Sequence, residues 1–515
     1  MVLYVTLWKS GESCKALPTT QWTLLRTRCL LTHTGLTHVA QRNRCSLLII
    51  VHLATKPGHA ILLNRTYPRN RGRGMKLQVA IVIMLLVALL TTAPSSAQGP
   101  VIDPQIAEVV QNISPERLHE YLEALTGFQT RHSLSLSDRT DWGISPAREY
   151  ILRTMQSFSD RLQVDFDCYQ VEPQGRIAQE VELCNVVAVL PGRSNRRVYV
   201  SGHYDTVARR IDSGQFDWTR WDNPAPGAND DGSGTVLTME VARVMAQSGL
   251  QFDATLVFIG FVAEEEGLVG ASLHSAKAER EGWVIDAVFN NDIVGNTKGG
   301  NGIADGRTVR VFSEDPMDSP SRQLARFIRR HAAVYMPGHE VRLIAREDRF
   351  GRGGDHTAFN RRGFAGVRFT ESRENYSRQH EPEDTLGGVD FEYLAKNARV
   401  NAAGVATIAL APPAPNVMEE GNPRLGRGES GYAASMSWET SRGASSYRVV
   451  WREAWTPEWQ FGIDVRNVTA YVLEDISIDD YVFGVMAIGP NGHESLVSAY
   501  TRSPRVRSDI REVGR

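Results

Sequence analysis

The chain has 515 residues, which sets about three domains of roughly 150 residues as the starting expectation, and 42% of them are apolar, ordinary for a globular core. The formal charge of −2 hides an asymmetry: residues 1–97 carry 12 Lys plus Arg against the single acid Glu12, so the remainder stands at −13. That acidic balance argues against a nucleic-acid partner.

Residues 1–74 show no clear period, and their apolar runs, such as 45–51, are too short to span a bilayer. They are expected to lie outside the fold as a non-structural leader, with Met75 as the true start of translation. Met75-Lys76, the apolar run 77–90 and Ala93-Pro-Ser-Ser-Ala97 have the three regions of a secretory signal, cleaved after Ala97. The expected location is therefore secreted or periplasmic, and the short apolar run disfavours an uncleaved anchor.

Leu118, Tyr121, Leu122 and Leu125 follow a helical period from Pro115, and Tyr150, Ile151 and Met155 repeat it over 146–158. Cys168 and Cys184 flank an expected hairpin of 164–170 and 181–190. They would pair in an oxidising compartment and would otherwise be two buried thiols, and both readings stay open. Strand-like runs at 185–190, 198–201, 254–262, 287–289, 309–312, 341–345 and 366–369 then alternate with helical segments, among them 235–247 ending near Gly249. Such alternation implies an α/β fold: a mostly parallel central sheet with helices on both faces. Ala411-Pro-Pro-Ala-Pro415 reads as a linker, and period-two alternation around Trp438, 447–451 and 481–487 marks a small all-β sandwich after it.

The chemistry-bearing residues fall at the ends of the apolar runs. His203 and Asp205 follow the strand 198–202, on the same side of the chain. A glycine-bracketed loop, Gly227-Ala-Asn-Asp230-Asp231-Gly-Ser-Gly234, leads into a helix and lets adjacent carboxylates turn inward. The strand 255–262 runs into Glu264-Glu265-Glu266, three acids that would repel one another without a cation between them. Asp292 ends the next run, and His380 and Asp384 sit on a later loop. Two imidazoles with three acids suit a borderline Lewis acid such as Zn²⁺, and suffice for two zinc ions sharing one carboxylate.

The motifs Gly202-His-Tyr-Asp-Thr206, Gly227-Ala-Asn-Asp-Asp-Gly-Ser-Gly234, Ala263-Glu-Glu-Glu-Gly267, Asn291-Asp-Ile-Val-Gly295 and His380-Glu-Pro-Glu-Asp-Thr385 resemble those of the M28 zinc metallopeptidases, typified by secreted bacterial aminopeptidases. The resemblance implies a zinc peptidase domain over 98–412, after a signal peptide at 75–97. It implies two Zn²⁺ per chain, with His203 and Glu265 on one ion, Asp292 and His380 on the other, and Asp230 bridging them. Asp205 would orient His203 and Glu264 would be the general base. Because Glu266 lengthens the acid run, the assignment of base and ligand could slip by one, and the spacing of Gly267-Leu-Val-Gly270 favours Glu264 and Glu265. Where many relatives have Tyr before the last histidine, this chain has Gln379, with Tyr376 on the same loop as a candidate substrate contact. Asp355, in Gly353-Gly-Asp-His-Thr357, would border the site without binding metal. Trp218 and Trp221, in the long insert 207–226, would border the cleft and shape substrate choice.

The activity implied is removal of the N-terminal residue from peptides with a free N-terminus, by a zinc-bound hydroxide with Glu264 as base. The alternative on the same fold is a glutaminyl cyclase or a carboxypeptidase. The segment 413–506 resembles a fibronectin type III domain, with Trp438 in its core and Tyr481 at the tyrosine corner. It would be an independently folding accessory module that binds a surface or polymer ligand, followed by a tail at 507–515.

Overall fold

The computed structural model describes residues 99–502 together with three strands nearer the N-terminus, β1 (Val5–Lys9), β2 (Cys45–His52) and β3 (Ala60–Tyr67), whose backbones alone are described. These three form an antiparallel sheet in the order β1-β2-β3 within a compact unit spanning Met1–Ala93, where the sequence shows no period. The signal segment 75–97 and the tail 507–515 lie outside the described residues. Among those that are described, no helix is long and apolar enough to cross a membrane.

The second unit is built on one eight-stranded sheet. Its strands are β4 (Gln163–Val171), β5 (Val181–Leu190), β6 (Arg196–His203), β7 (Thr255–Phe261), β8 (Val284–Asn291), β9 (Thr308–Ser313), β10 (Glu340–Ile344) and β11 (Gly366–Glu371). The order across the sheet is β10-β9-β11-β8-β6-β7-β5-β4. The central four, β11-β8-β6-β7, run parallel, while β9 joins β11, and β5 joins β7 and β4, antiparallel. Each strand forecast from an apolar run is present.

Central strands are covered on both faces, which is why they read as unbroken apolar runs. Along β6, Val198 and Val200 enter one core and Tyr199 the other, and along β7 Leu256 and Phe258 oppose Val257 and Ile259 in the same way. The first face carries α4 (Ser233–Gln247) and α8 (Phe391–Leu410), with α1 (Pro104–Gln111), α2 (Pro115–Gly127), α3 (Ile144–Gln156) and α6 (Pro320–Tyr335) around them. The second carries α5 (Val269–Arg280) and α7 (Asp355–Asn360). Helix α4 stops where Gly249 takes φ +72°, a left-handed residue just past the last turn that a side chain would strain.

After α8 the chain builds a β-sandwich of a three-stranded sheet (Leu425–Arg427, Ala433–Ser437, Ala470–Glu474) and a four-stranded one (Phe461–Val465, Ser446–Glu453, Tyr481–Ile488, Ser498–Ala499). Trp438 and Tyr447 meet in its core with rings 5.4 Å apart. Tyr481 is only half-buried, and it is the Tyr500 hydroxyl that donates back to a backbone carbonyl, that of Ser437, at 3.0 Å.

The segment 411–415 is no free linker. Ala411 is buried, and its carbonyl accepts from Arg196 at 2.9 Å. The sandwich docks on α6 and the turn before it: Arg452 Nη2 donates to both oxygens of Asp318 (2.9 and 2.7 Å), Arg326 donates to the Pro457 carbonyl (2.7 Å), and Trp459 donates to Gln323 (3.0 Å). This ion pair and these two hydrogen bonds therefore link parts that composition alone reads as a tethered bead.

Candidate metal centre

The carboxyl ends of β6, β7 and β8 converge, as expected for the central strands of a parallel sheet. His203 ends β6, Glu264 and Glu265 follow β7, and Asp292 follows β8. Asp230 lies in the turn before α4. That turn presses against β8, and a Cβ on Gly234 would fall 2.1 Å from the Asn291 carbonyl oxygen and 2.4 Å from the Asp231 carboxylate. Glycine is required there by close approach.

Asp230 sits between two imidazoles. Its Oδ1 is 3.4 Å from His203 Nε2, and its Oδ2 is 3.1 Å from His380 Nε2. His203 Nε2 also lies 3.9 Å from Asp292 Oδ1, whereas His380 Nε2 lies 3.1 Å from Glu265 Oε1. The five expected ligands therefore come together, but the pairing implied by the resemblance is corrected: His203 groups with Asp292, and His380 with Glu265. The loop carrying His380 is drawn to the Glu265 side by Arg209, whose backbone N–H donates to the His380 carbonyl (2.9 Å) while its guanidinium pairs with Glu381 (2.9 Å).

Asp231 also lies within reach of His203 and Asp292. Its oxygens are already engaged by the backbone N–H groups of His203 (3.0 Å), Gly234 (2.8 Å) and Ile293 (3.2 Å), so it fastens β6, α4 and the β8 end together. Asp230 Oδ2 and Glu265 Oε1, by contrast, are buried without a hydrogen-bond donor. Burial disfavours a charged His380, yet Glu265 and Asp230 outweigh it and push its pKa up to about 11. Anionic oxygens of this kind, mixed with imidazole nitrogens, fit Zn²⁺.

The supports are two motif carboxylates, Asp205 and Asp384, and two arginines outside any motif, Arg131 and Arg368. His203 Nδ1 lies 3.1 Å from the Asp205 carbonyl and 3.6 Å from its carboxylate, which chiefly accepts the backbone N–H groups of Glu264 and Glu265 (both 3.1 Å). Asp205 thus orients His203 mainly through its main chain and grips the acid turn with its side chain. Asp384 accepts the N–H groups of Asn229 (3.0 Å) and Asp230 (2.9 Å), and burial lifts its pKa to about 7. Arg131, fully buried, donates to the carbonyls of Tyr204 (2.7 Å), Pro226 (2.7 Å) and Gly227 (2.9 Å), pinning the loop before Asp230. Arg368 pairs with Asp292 at 2.7 Å and Asp348 at 3.2 Å. Isolated arginines carry no signal in a single sequence.

The three glutamates of the acid run take three different environments. Glu265 faces His380, while Glu266 turns away to accept the Ser133 hydroxyl at 2.7 Å. Glu264 is half-buried, and its carboxyl is held well above the usual range by burial and by Asp292, Glu265 and Asp355, against the opposing pull of His203. Trp218 and Trp221 lie on a wall of this region, their rings 6.3 and 6.5 Å from His132, and Phe216 sets its ring edge-on to His380 at 5.8 Å. Tyr376 is not placed for a substrate contact, and Asp355 borders the site but is enclosed. Tyr376 is 66% exposed, with no hydrogen bond to the site, and Asp355 is 1% exposed, its carboxyl raised to about 8 chiefly by burial. Gln379, in the place of the relatives' Tyr, is spent on Glu374 (3.0 Å) and Arg352 (2.8 Å).

A sheet ending in paired imidazole and carboxylate clusters is an arrangement suited to a metal-dependent hydrolase. Residues 185–405 match the model of peptidase family M28. A probable zinc metalloprotease of Pyrenophora teres f. teres (strain 0-1) is 33% identical, over 76% of this chain and 86% of its own, and one of Pyricularia oryzae (strain 70-15) is 33% identical over 78% and 86%. This chain belongs to peptidase family M28, and these relatives are fungal rather than bacterial. Among solved structures, the Legionella pneumophila LapA aminopeptidase is similar with a TM-score of 0.47 and 20% identity, covering 60% of this chain and 76% of its own. A Fimbriiglobus ruber glutaminyl cyclase is similar with a TM-score of 0.45 and 19% identity, over 57% and 95%.

Proposed function

We propose that the protein is a dinuclear zinc aminopeptidase acting on peptides with a free N-terminus. The observation that carries this reading is Asp230, whose two oxygens face two different imidazoles, each completed by a further carboxylate. Asp230, His203 and Asp292 would hold one zinc, and Asp230, Glu265 and His380 the other. Zinc bound there would supply Lewis acidity toward a carbonyl and an activated water at neutral pH.

The chain's own residues do the rest. Glu264 stands beside a ligand without being one, takes the proton of the attacking water and returns it to the leaving amine. Asp205 and Asp384 keep the ligand turns from relaxing when charge develops, because each locks backbone N–H groups rather than side chains. Glu264, a carboxyl beyond the ligand set at the same strand end, favours a substrate end that is positive, as a free α-ammonium is.

Secretion to an oxidising compartment is supported by the Cys168–Cys184 disulfide, which joins residues directly opposite on β4 and β5. We read the terminal sandwich as a fibronectin type III-like module whose partner is a surface or polymer ligand. Elemental analysis of active protein should find two zinc ions per chain, and peptides with a free N-terminus should be cleaved where N-acylated ones are not. One metal or none overturns the dinuclear centre, and equal cleavage of both peptides overturns the aminopeptidase assignment.

A further inference from the structure

The insert 207–226 is more than a wall of the cleft. Arg209 lies 4.6 Å from the Phe216 ring, Phe216 stacks on Trp218 at 5.6 Å with an 18° tilt, and Arg176 lies 4.7 Å from the Trp218 ring. Cation, ring, ring and cation thus follow in succession. Both ends are tied to loops that carry ligands of one cluster: Arg176 donates to the Glu265 carbonyl at 2.6 Å, and Arg209 binds the His380 carbonyl and Glu381. The Phe216 ring, midway, is edge-on to His380 itself.

We infer that this arginine–aromatic column is a strap across the Asp230–Glu265–His380 side of the centre, which closes that end of the cleft and confines the enzyme to chain ends. The inference deepens the aminopeptidase reading and rests on it. A peptide whose N-terminus is extended by an acyl group would have to continue through the column. Four stacked groups anchored at both ends do not yield to it, whereas a free terminal residue stops short. The arginines are the second part of the device. They are unattractive to an ammonium group at the strap itself, so the terminus seats among the carboxylates below it.

The test compares wild type with Phe216→Ala/Trp218→Ala and, should that pair not fold, with Arg176→Gln/Arg209→Gln, which removes the two guanidiniums of the column and their side-chain ties to the Glu265 carbonyl and Glu381 while leaving the rings. Each is assayed on one peptide in free and N-acetylated form, and for the rate at which a chelator extracts zinc. Loss of the strap should lower the preference for the free peptide by about tenfold or more. It should also quicken one of the two phases of zinc loss by about tenfold, because the opening that exposes that cluster no longer has to unstack the column. A preference and a release profile both equal to wild type overturn the strap. So does a wild type that cleaves both peptides equally, even with its peptidase class intact. A wild type that cleaves neither peptide refutes the aminopeptidase reading, and the release rates then decide the strap on their own.

Discussion

Neutralising the three consecutive glutamates one at a time should give three separate phenotypes. Glu264→Gln keeps the shape and removes the proton acceptor, so kcat should fall by about 10²- to 10⁴-fold, about 2.7–5.5 kcal/mol of barrier, with both metals retained. Glu265→Gln removes an anionic oxygen that lies 3.1 Å from His380 Nε2 and has no other donor, so the zinc content after desalting should drop below two per chain. Glu266→Gln touches neither process. Its side chain is fully buried against Ser133, away from the cluster, and removing a charge that burial and Asp205 already disfavour should leave kcat within a few-fold and the metal content intact. The assay is elemental analysis paired with turnover of an aminoacyl anilide. Metal loss in Glu266→Gln with full occupancy in Glu265→Gln would refute the register and shift every role by one residue.

Three further outcomes follow from the scaffold. Asp318→Asn leaves Arg452 and Arg326 buried without their shared counter-charge and should cost about 3–5 kcal/mol in urea unfolding, and no shift in midpoint would show that the sandwich docking contributes little. His331, buried in α6, has its pKa lowered to about 3, chiefly by burial and then by Arg330 and His493. Against an unfolded value of about 6.5, the unfolded chain binds more protons between the two, so stability is full above about pH 6.5 and is lost as pH falls toward 3. His331→Leu should flatten that acid limb, and equal acid sensitivity in wild type and variant would exclude His331 as a source. Replacing Cys168 and Cys184 together by Ser should lower stability by about 3 kcal/mol, given a 16-residue separation, read as a lower melting temperature that reducing agent no longer changes.

The sheet was legible because its central strands are buried on both faces, and their apolar runs end in polar residues wherever chemistry is placed. Helix α8 was not. In Phe391–Leu410 a polar stripe of Glu392, Lys396 and Arg399 is confined to the first half, and the run from Ala402 to Ala409 is buried all round, so no helical period continues through it. The ligands were legible one by one, but not their grouping. β6 lies between β7 and β8, so its terminal His203 could side with either neighbour, and sequence order says nothing about which. The choice is made by residues without a motif: Arg368 on β11 holds Asp292 toward His203, and Arg209 in the insert pulls His380 over Glu265. Composition misread 411–415, because proline marks the absence of helix equally well in a free linker and in a buried seam.

The edge of the sheet explains why the strap can be rigid although its parts come from loops. Arg176 sits at the tip of the β4–β5 hairpin, and β4 has a neighbour on one side only, so the tip would otherwise swing with an edge strand. The disulfide clamps the two strands at directly opposed positions, Cys168 and Cys184, between the tip and the far end of the ladder. It restricts the very turn that delivers a guanidinium to the Glu265 carbonyl, and through Trp218 and Phe216 it restricts the approach to His380. Reducing this bond at the margin of the sheet should therefore loosen the strap at its centre, read as faster zinc release to a chelator, and an unchanged release rate would separate the hairpin clamp from the strap.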